Sequence, residues 1–324
     1  MTNAICIHEY GGPEVLKWEA VDVGAPGAGQ VRLKQTAVGL NYIDVYLRTG
    51  TYPQPEFPFT PGMEGAGEVT EVGEGVTDLA VGDRVAYAGP VGGYSEERVI
   101  PADRVVKIPD GVDDRTAAAM MLQGMTARYL LRRTYEVGPA TTLLFHAAAG
   151  GVGLIACQWA AHLGATIIGT VGSEEKAELA RAHGCTHTIN YGDEDFVARV
   201  KEITDGAGVD VVYDSIGQAT FPGSLDCLKP LGLWATFGQA SGPLPEINMG
   251  ILAQKGSLFA TRPTLFNYVA KREDLLETAN DLFDVVRNGH VKINVNQTYP
   301  LADAADAHRD LEGRKTTGST VLLP

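Results

Sequence analysis

The 324-residue chain has no apolar run long enough to cross a bilayer, no internal repeat, no low-complexity tract and no long linker. A bilayer-spanning helix needs about 20 consecutive apolar residues, so none is expected. The start, MTNAICIHEYGGPEVL, lacks a basic region ahead of a long apolar core and does not read as a secretory signal; a cytoplasmic location is the expectation. Cysteine is scarce and unpaired in spacing. Cys6, Cys157, Cys185 and Cys227 are scattered, which suits reduced thiols better than a disulfide framework. Cations are outnumbered too: 26 Lys and Arg face 40 Asp and Glu, for a formal charge of -14. That balance repels polyanions at long range, so nucleic acid is not an expected partner and any phosphate site must be local.

What remains is an ordinary globular composition, 44% hydrophobic and 20% charged, in a chain long enough for two domains. Up to about Val106, short runs (AICIH, VRLKQTAV, GAGEVTEV, DRVAYA, YSEERVI) alternate with Gly and Pro clusters and read as an all-β, barrel-like module. Two helical segments follow, DDRTAAAMMLQ and MTARYLLRRTYEV. Strands TTLLFHA, ATIIGTV, THTIN, VDVVYDS and LWATFG then alternate with helices, which predicts a parallel sheet with right-handed crossovers. Beyond Arg262 come a long helical stretch LFNYVAKREDLLETANDLFDVVRNG, a strand KINVNQTYP, a helix LADAADAHRDLEG and a strand STVLLP, read as a return to the first domain.

The densest signal is HAAAGGVG, between the apolar run TTLLF and the helical LIACQWAAHLGA. A dinucleotide fingerprint, G-x-G-x-x-G, needs one glycine for a tight turn, one to admit a pyrophosphate and one for close helix packing. Ala148, Gly150 and Gly153 occupy those places, and the helix starting near Gly151 offers unpaired N–H groups and a positive dipole end. At the end of the second strand, where NAD sites place a carboxylate, stands Thr170-Val171-Gly172-Ser173, with Lys176 one turn on. A small neutral residue and a cation suit a 2′-phosphate, so NADPH is the expected cofactor. His146 is read as a structural residue at a strand end. HGCTH sets His183, Cys185 and His187 at alternating spacing, but where a helix ends and a strand begins; no metal is expected there.

The strings YGGPEVL, VGLNYIDVYLRTG, PGMEGAGEV, VGDRVAY, LLFHAAAGGVGLIACQWA, INY, VVYDSIG, KGSLFATRP and GSTVLLP, spread over essentially the whole chain, resemble the medium-chain dehydrogenase/reductase superfamily. Within it, they are most similar to the zinc-free NADPH-dependent quinone oxidoreductases related to zeta-crystallin. The resemblance implies an α/β protein with a GroES-like β-barrel catalytic domain (1–124 and 262–324) and a Rossmann doubly wound, parallel-sheet domain (125–261). It implies no metal: zinc relatives carry a Cys where this chain has Asn41 and a His where it has Met63, and their four-cysteine lobe has no counterpart. Without zinc, the nicotinamide supplies the chemistry, and a quinone suits it as a hydride acceptor.

The resemblance further places Asn41, Tyr42, Ile43, Asp44 and Tyr46 beside the nicotinamide half of the cofactor, Tyr42 and Tyr46 sharing one helical face. It carries cofactor contacts onto Tyr129, Gly150, Gly151, Val152, Gly153, Gly172, Ser173, Lys176, Tyr191, Ser215, Phe237, Gly238, Gln239, Ser241 and Arg314. Lys176, Tyr191 and Arg314 form the 2′-phosphate set. Tyr52 and Arg262 are the candidates for the acceptor pocket, with Asn41, Asp44 and Tyr46 near the transferred hydride; no general acid stands out. Two alternatives stay open, reduction of enals or enones and an RNA-binding or crystallin-like structural role. The edge near INMGILAQKGSLFATRP points to a homodimer through the Rossmann domain.

Overall fold

The computed structural model describes residues 1–324, which divide into two compact units: Met1–Met125 with Lys271–Arg287 and Ile293–Pro324, and Thr126–Ala270 with Asn288–Lys292. In the first unit, β1 (Thr2–Cys6) and β2 (Lys17–Val21) form an antiparallel pair. A larger sheet is built around β3 (Gln30–Leu40), followed in the chain by α1 (Tyr42–Arg48), β4 (Glu64–Val72), β5 (Arg84–Ala88), β6 (Glu97–Pro101), β7 (Val105–Lys107), α2 (Asp114–Ala118) and α3 (Met121–Tyr129). Antiparallel pairing joins β3 to both β4 and β6, β4 to β5 and β5 to β7. Along β3 the side chains first alternate between buried and exposed and then, from Val38 to Leu40, are buried on both faces. Alternation marks a sheet with one wet face; the fully buried end delivers the chain into α1 inside the unit. Val31, Leu33, Val69, Val85, Ile100 and Val105 fill the core of this sheet.

After α3 the helix widens into a π-turn over Leu130–Thr134. There the Leu130 carbonyl accepts both the Tyr135 N–H, five residues on, and the hydroxyl of Tyr213. The second unit then alternates β8 (Thr142–Phe145), α4 (Gly151–His162), β9 (Thr166–Val171), α5 (Glu174–Ala182), β10 (His187–Asn190), α6 (Phe196–Ile203), β11 (Val209–Asp214), α7 (Gly223–Asp226), β12 (Leu228–Thr236), α8 (Gly250–Gln254), β13 (Phe259–Thr261) and α9 (Leu265–Tyr268). Every pairing is parallel, in the order β10-β9-β8-β11-β12-β13. This is the doubly wound sheet expected from the strand–helix alternation, with its order reversing between β8 and β11. Strands buried on both faces need continuous apolar runs, and β11 is buried throughout.

The stretch read as one long helix is two. Val269 leaves helical geometry at φ -118°, its N–H closing the last turn of α9 on Leu265, and α10 (Arg272–Arg287) starts afresh. The chain then supplies β14 (Val295–Pro300), α11 (Ala304–Glu312) and β15 (Ser319–Leu323) to the first unit; β15 pairs with β3, and Leu301, Ala304, Ala307 and Leu322 pack with Ile5, Ile7 and Leu40. Residues 262–270 and 288–292 group with the second unit. Leu144, in the middle of β8, is fully buried with Ile168, Val212 and Trp234. Leu144→Ala is expected to cost about 2–5 kcal/mol of stability, read as a lower denaturant midpoint; an unchanged midpoint would contradict this core.

Candidate active site

The strand β8 ends at Phe145, and the turn to α4 is made with almost no side-chain bulk. Ala147 takes the left-handed conformation, φ 56°, at a strain that glycine would not meet. Gly150 is extended, φ -79° and ψ 176°, and its N–H closes the turn on the Ala147 carbonyl at 2.9 Å. Gly150 is therefore not required for its own backbone; its missing side chain leaves space beside the helix start. Gly153 is required for packing. A Cβ there would lie 2.4 Å from the Ala147 carbonyl oxygen and 2.6 Å from that of Ala148. The first N–H groups of α4, at Gly151, Val152 and Gly153, are those a helix leaves without intrahelical partners, and they offer an anion a ready set of donors.

At the neighbouring strand end, β9 passes through Thr170 and Val171 to Gly172, and Ser173 caps α5 by accepting the Lys176 N–H at 3.3 Å. Gly172 makes room for Tyr191: a Cβ on it would lie 2.7 Å from the phenol oxygen. Tyr191 is 47% exposed. Thus Gly172, Ser173, Lys176 and Tyr191 gather at one corner with no carboxylate at the end of β9.

The ends of β11 and β12 are laced together. Phe237 N–H donates to Asp214, Ala240 N–H to Ser215 and Ser241 N–H to Ile216, while a Cβ on Gly238 would lie 2.5 Å from the Ser215 carbonyl. Ser215, Phe237, Gly238, Gln239 and Ser241 are thereby brought together. Arg262, read from the sequence as an acceptor-pocket residue, sends Nη1 to the Gly238 carbonyl at 2.5 Å and to Thr236, and Nη2 to the Gln239 side chain. These contacts hold the loop in place. Tyr129 is 2% exposed and stacks on Tyr268 with centroids 4.5 Å apart.

Sequence reasoning missed a buried cluster under these ends. Asp214 accepts from the N–H groups of Ile216 and Gly217 and from the hydroxyls of Thr220 and Ser224. Ser224 also meets His146 Nε2 at 3.1 Å, and His146 Nδ1 lies 2.9 Å from Thr170 Oγ1. Because Ser224 donates to Asp214, it accepts from His146, which is thus the Nε2-protonated tautomer. Burial lowers the His146 pKa against the pull of Asp214. His146 is structural, as the sequence reading expected, and its partners carried no spacing signal.

In the first unit, Tyr42, Tyr46 and Tyr52 form a chain of edge-to-face rings, with centroids 5.3 Å and 5.2 Å apart. The helical spacing made the first pair legible; Tyr52 joins from the following loop and is 36% exposed. Ile43 is half-buried on the same helix, and burial, followed by Glu312, raises the Tyr42 pKa, with Arg314, in a left-handed turn at φ 57°, opposing them in part. Asn41 and Asp44, at the start of the same helix, make contacts within the unit. Asp44 is fully buried and its Oδ2 accepts the Asn41 N–H at 2.9 Å and the Tyr94 hydroxyl at 3.1 Å. Asn41 spends both ends of its amide internally, Nδ2 on Glu64 at 2.6 Å and Oδ1 on Gln123 at 3.0 Å. Tyr94 in turn meets His308, and His308 meets Arg48. Glu64, Tyr94 and His308 gave no sequence signal, since nothing in linear spacing relates them. Burial pushes the carboxyl of Asp44 up to about 7 and that of Glu64 up to about 8.

The residues at the zinc-ligand places of the superfamily do not fit a zinc ion. Asn41 is tied to Glu64 and Gln123, Met63 is a neutral thioether, and no three His, Cys, Asp or Glu side chains come together as a metal site. In HGCTH, His183 bonds the Leu179 carbonyl while Cys185 turns to Cys157.

Two family models match the chain: an alcohol dehydrogenase GroES-like domain over residues 27–110 and a zinc-binding dehydrogenase over residues 151–280. A quinone oxidoreductase of Pseudomonas aeruginosa is 54% identical over the whole of both chains. A 2-haloacrylate reductase of a Burkholderia species is 51% identical over all of this chain and 99% of its own. The crystal structure of Escherichia coli quinone oxidoreductase complexed with NADPH superimposes with a TM-score of 0.98 at 48% identity, covering 99% of this chain and all of that one.

The raised Glu64 pKa has a sign that can be tested. Between the ordinary carboxylate range and about pH 8 the folded chain holds a proton that the unfolded chain has released, so this contribution to stability is full at low pH and is lost as pH rises through about 8. Glu64→Gln is expected to flatten the fall of the thermal midpoint between about pH 6 and about pH 9. Parallel declines in both proteins would place the penalty elsewhere.

Proposed function

The chain belongs to the quinone oxidoreductases of the medium-chain dehydrogenase/reductase superfamily, and from that premise we propose that it reduces quinones with NADPH, without a metal ion. The observation that carries this reading is the corner formed by the α4 start and the end of β9. There Gly153 lets the helix start close against the turn, Gly150 adds no side chain beside that start, and a neutral strand end flanked by Ser173, Lys176 and Tyr191 leaves room for a phosphorylated ribose.

When bound, NADPH supplies the hydride. The chain's own residues bind and orient. The N–H groups of Gly151, Val152 and Gly153 take the pyrophosphate. Lys176 and Tyr191 take the 2′-phosphate, the ammonium by a charge-assisted hydrogen bond. Ser215, Phe237, Gly238, Gln239 and Ser241 present the laced loop to the nicotinamide half, with Arg262 setting the Gly238 carbonyl. Tyr129 backs this region through its stack on Tyr268. Tyr42, Ile43, Tyr46 and Tyr52 offer aromatic and apolar surface to a quinone, and Asn41 and Asp44 hold the helix that carries them. A quinone needs little more than positioning, because aromatisation drives the transfer and the hydroquinone takes its proton from solvent.

A conjugated alkene is the second reading, favoured by the near-equal identity of the relative named 2-haloacrylate reductase. NADPH oxidation measured with a benzoquinone and with an alkenal separates the two: faster turnover of the quinone, unaffected by chelator, is expected. A preference for NADH, or turnover of the alkenal alone, would overturn the proposal. Lys176→Ala is expected to cost about 1.5–3 kcal/mol of NADPH binding and to leave NADH binding nearly unchanged.

We also read the protein as a cytoplasmic homodimer; no helix is long and apolar enough to cross a membrane. What supports the dimer is the open edge of the parallel sheet, where β13 has no outer neighbour in the chain and Phe259 is 61% exposed. Light scattering should give twice the 34.4 kDa chain mass, and the chain mass alone for Phe259→Asp; a monomeric wild type would refute it.

A further inference from the structure

Two buried thiols outside the proposed site lie in contact. Cys157, in the middle of α4, and Cys185, just ahead of β10, have their sulfurs 3.4 Å apart, and they are 1% and 6% exposed. The backbone is built to allow this approach. Gly169 on β9 carries no side chain where a Cβ would lie 2.7 Å from the Cys185 sulfur. Gly184 turns with φ +99°, and a Cβ on it would lie 2.8 Å from the Cys157 carbonyl. The other two thiols, Cys6 and Cys227, are buried and free as well. Of the four thiols, Cys157 and Cys185 are the two in contact, their sulfurs 3.4 Å apart against the ~2.05 Å of a disulfide.

We propose that Cys157 and Cys185 are a reversible oxidation site, converted by a hydroperoxide into a disulfide that joins α4 to the start of β10. Cys185 is the sulfur oxidised first, being the more exposed of the two; the adjacent Cys185 sulfur and burial raise the Cys157 pKa well above its ordinary value, so Cys157 waits as a thiol. In the first step the Cys185 thiolate attacks the peroxide, an S–O bond forms, the O–O bond breaks, and hydroxide leaves to be protonated to water. In the second step Cys157 attacks the resulting sulfenic sulfur, the S–S bond forms, the S–O bond breaks, and a second water leaves with the thiol proton. The two sulfurs together lose two electrons and hydrogen peroxide gains them. The bridge closes the loop of residues 157–185, which contains β9 and α5. The residue types of HGCTH thus find a use in which the central cysteine acts and the histidines do not.

The full-length protein is exposed to hydrogen peroxide while folded, then denatured, alkylated with iodoacetamide, digested and weighed by mass spectrometry. The peptides bearing Cys157 and Cys185 are expected to appear joined and lighter by two hydrogens, with Cys6 and Cys227 alkylated. Dithiothreitol before alkylation is expected to return all four alkylated thiols. In Cys157→Ser, peroxide with dimedone is expected to label Cys185 and leave no bridge. Four alkylated cysteines after peroxide, or a bridge through Cys6 or Cys227, would overturn the proposal, and the wild-type measurement decides this whether or not the variant folds.

Discussion

The close approach of α4 to the carbonyls of Ala147 and Ala148 is the constraint on which the second unit depends. A helix can begin this near the end of β8 only because Gly153 has no Cβ to meet those two oxygens. That proximity points the unpaired N–H groups of the first turn along the carboxyl edge of the sheet, at the place where the strand order reverses. The left-handed Ala147 is part of the same bargain with geometry: the chain reverses within the turn, and the strain falls on a residue whose side chain is a single methyl.

The edge beside that turn is held rigid from beneath. Asp214 is fully buried, yet its pKa is lowered: burial acts to raise it, and His146 with the N–H and hydroxyl donors around it outweighs burial. The donors all lie within residues 216–224, just after β11, so one carboxylate fixes where the loop with Ser215 runs. Arg262 does the corresponding work one strand further on, through the Gly238 carbonyl. Pre-set loops of this kind lower the ordering cost of binding a long, flexible ligand.

The first unit handles buried carboxyls in the opposite way. Asp44 and Glu64 have amide, hydroxyl and N–H partners but no cation against them, so burial dominates and both are held toward the protonated form near neutrality. Their partners reveal why they are kept. Asp44 reaches back to the N–H of Asn41 at the start of α1, and Glu64 ties Asn41 to β4, so the helix bearing Tyr42 and Tyr46 is anchored from inside by groups that never reach the surface.

The sequence by itself determined the strand–helix alternation of the second unit, the glycine turn, the neutral end of β9 and the pairing of Tyr42 with Tyr46, because each follows from spacings of a few residues along one element. The break after Tyr268 was not legible, since the helical pattern continues through it while the backbone does not. Nor were the inward turn of Asn41 and Asp44, the holding role of Arg262, the His146–Ser224–Asp214 cluster or the touching sulfurs of Cys157 and Cys185. Only the tertiary structure decided these, for a physical reason: a buried polar or sulfur-bearing side chain takes whichever partner the packing brings within about 3–4 Å, and that partner comes from a distant part of the chain.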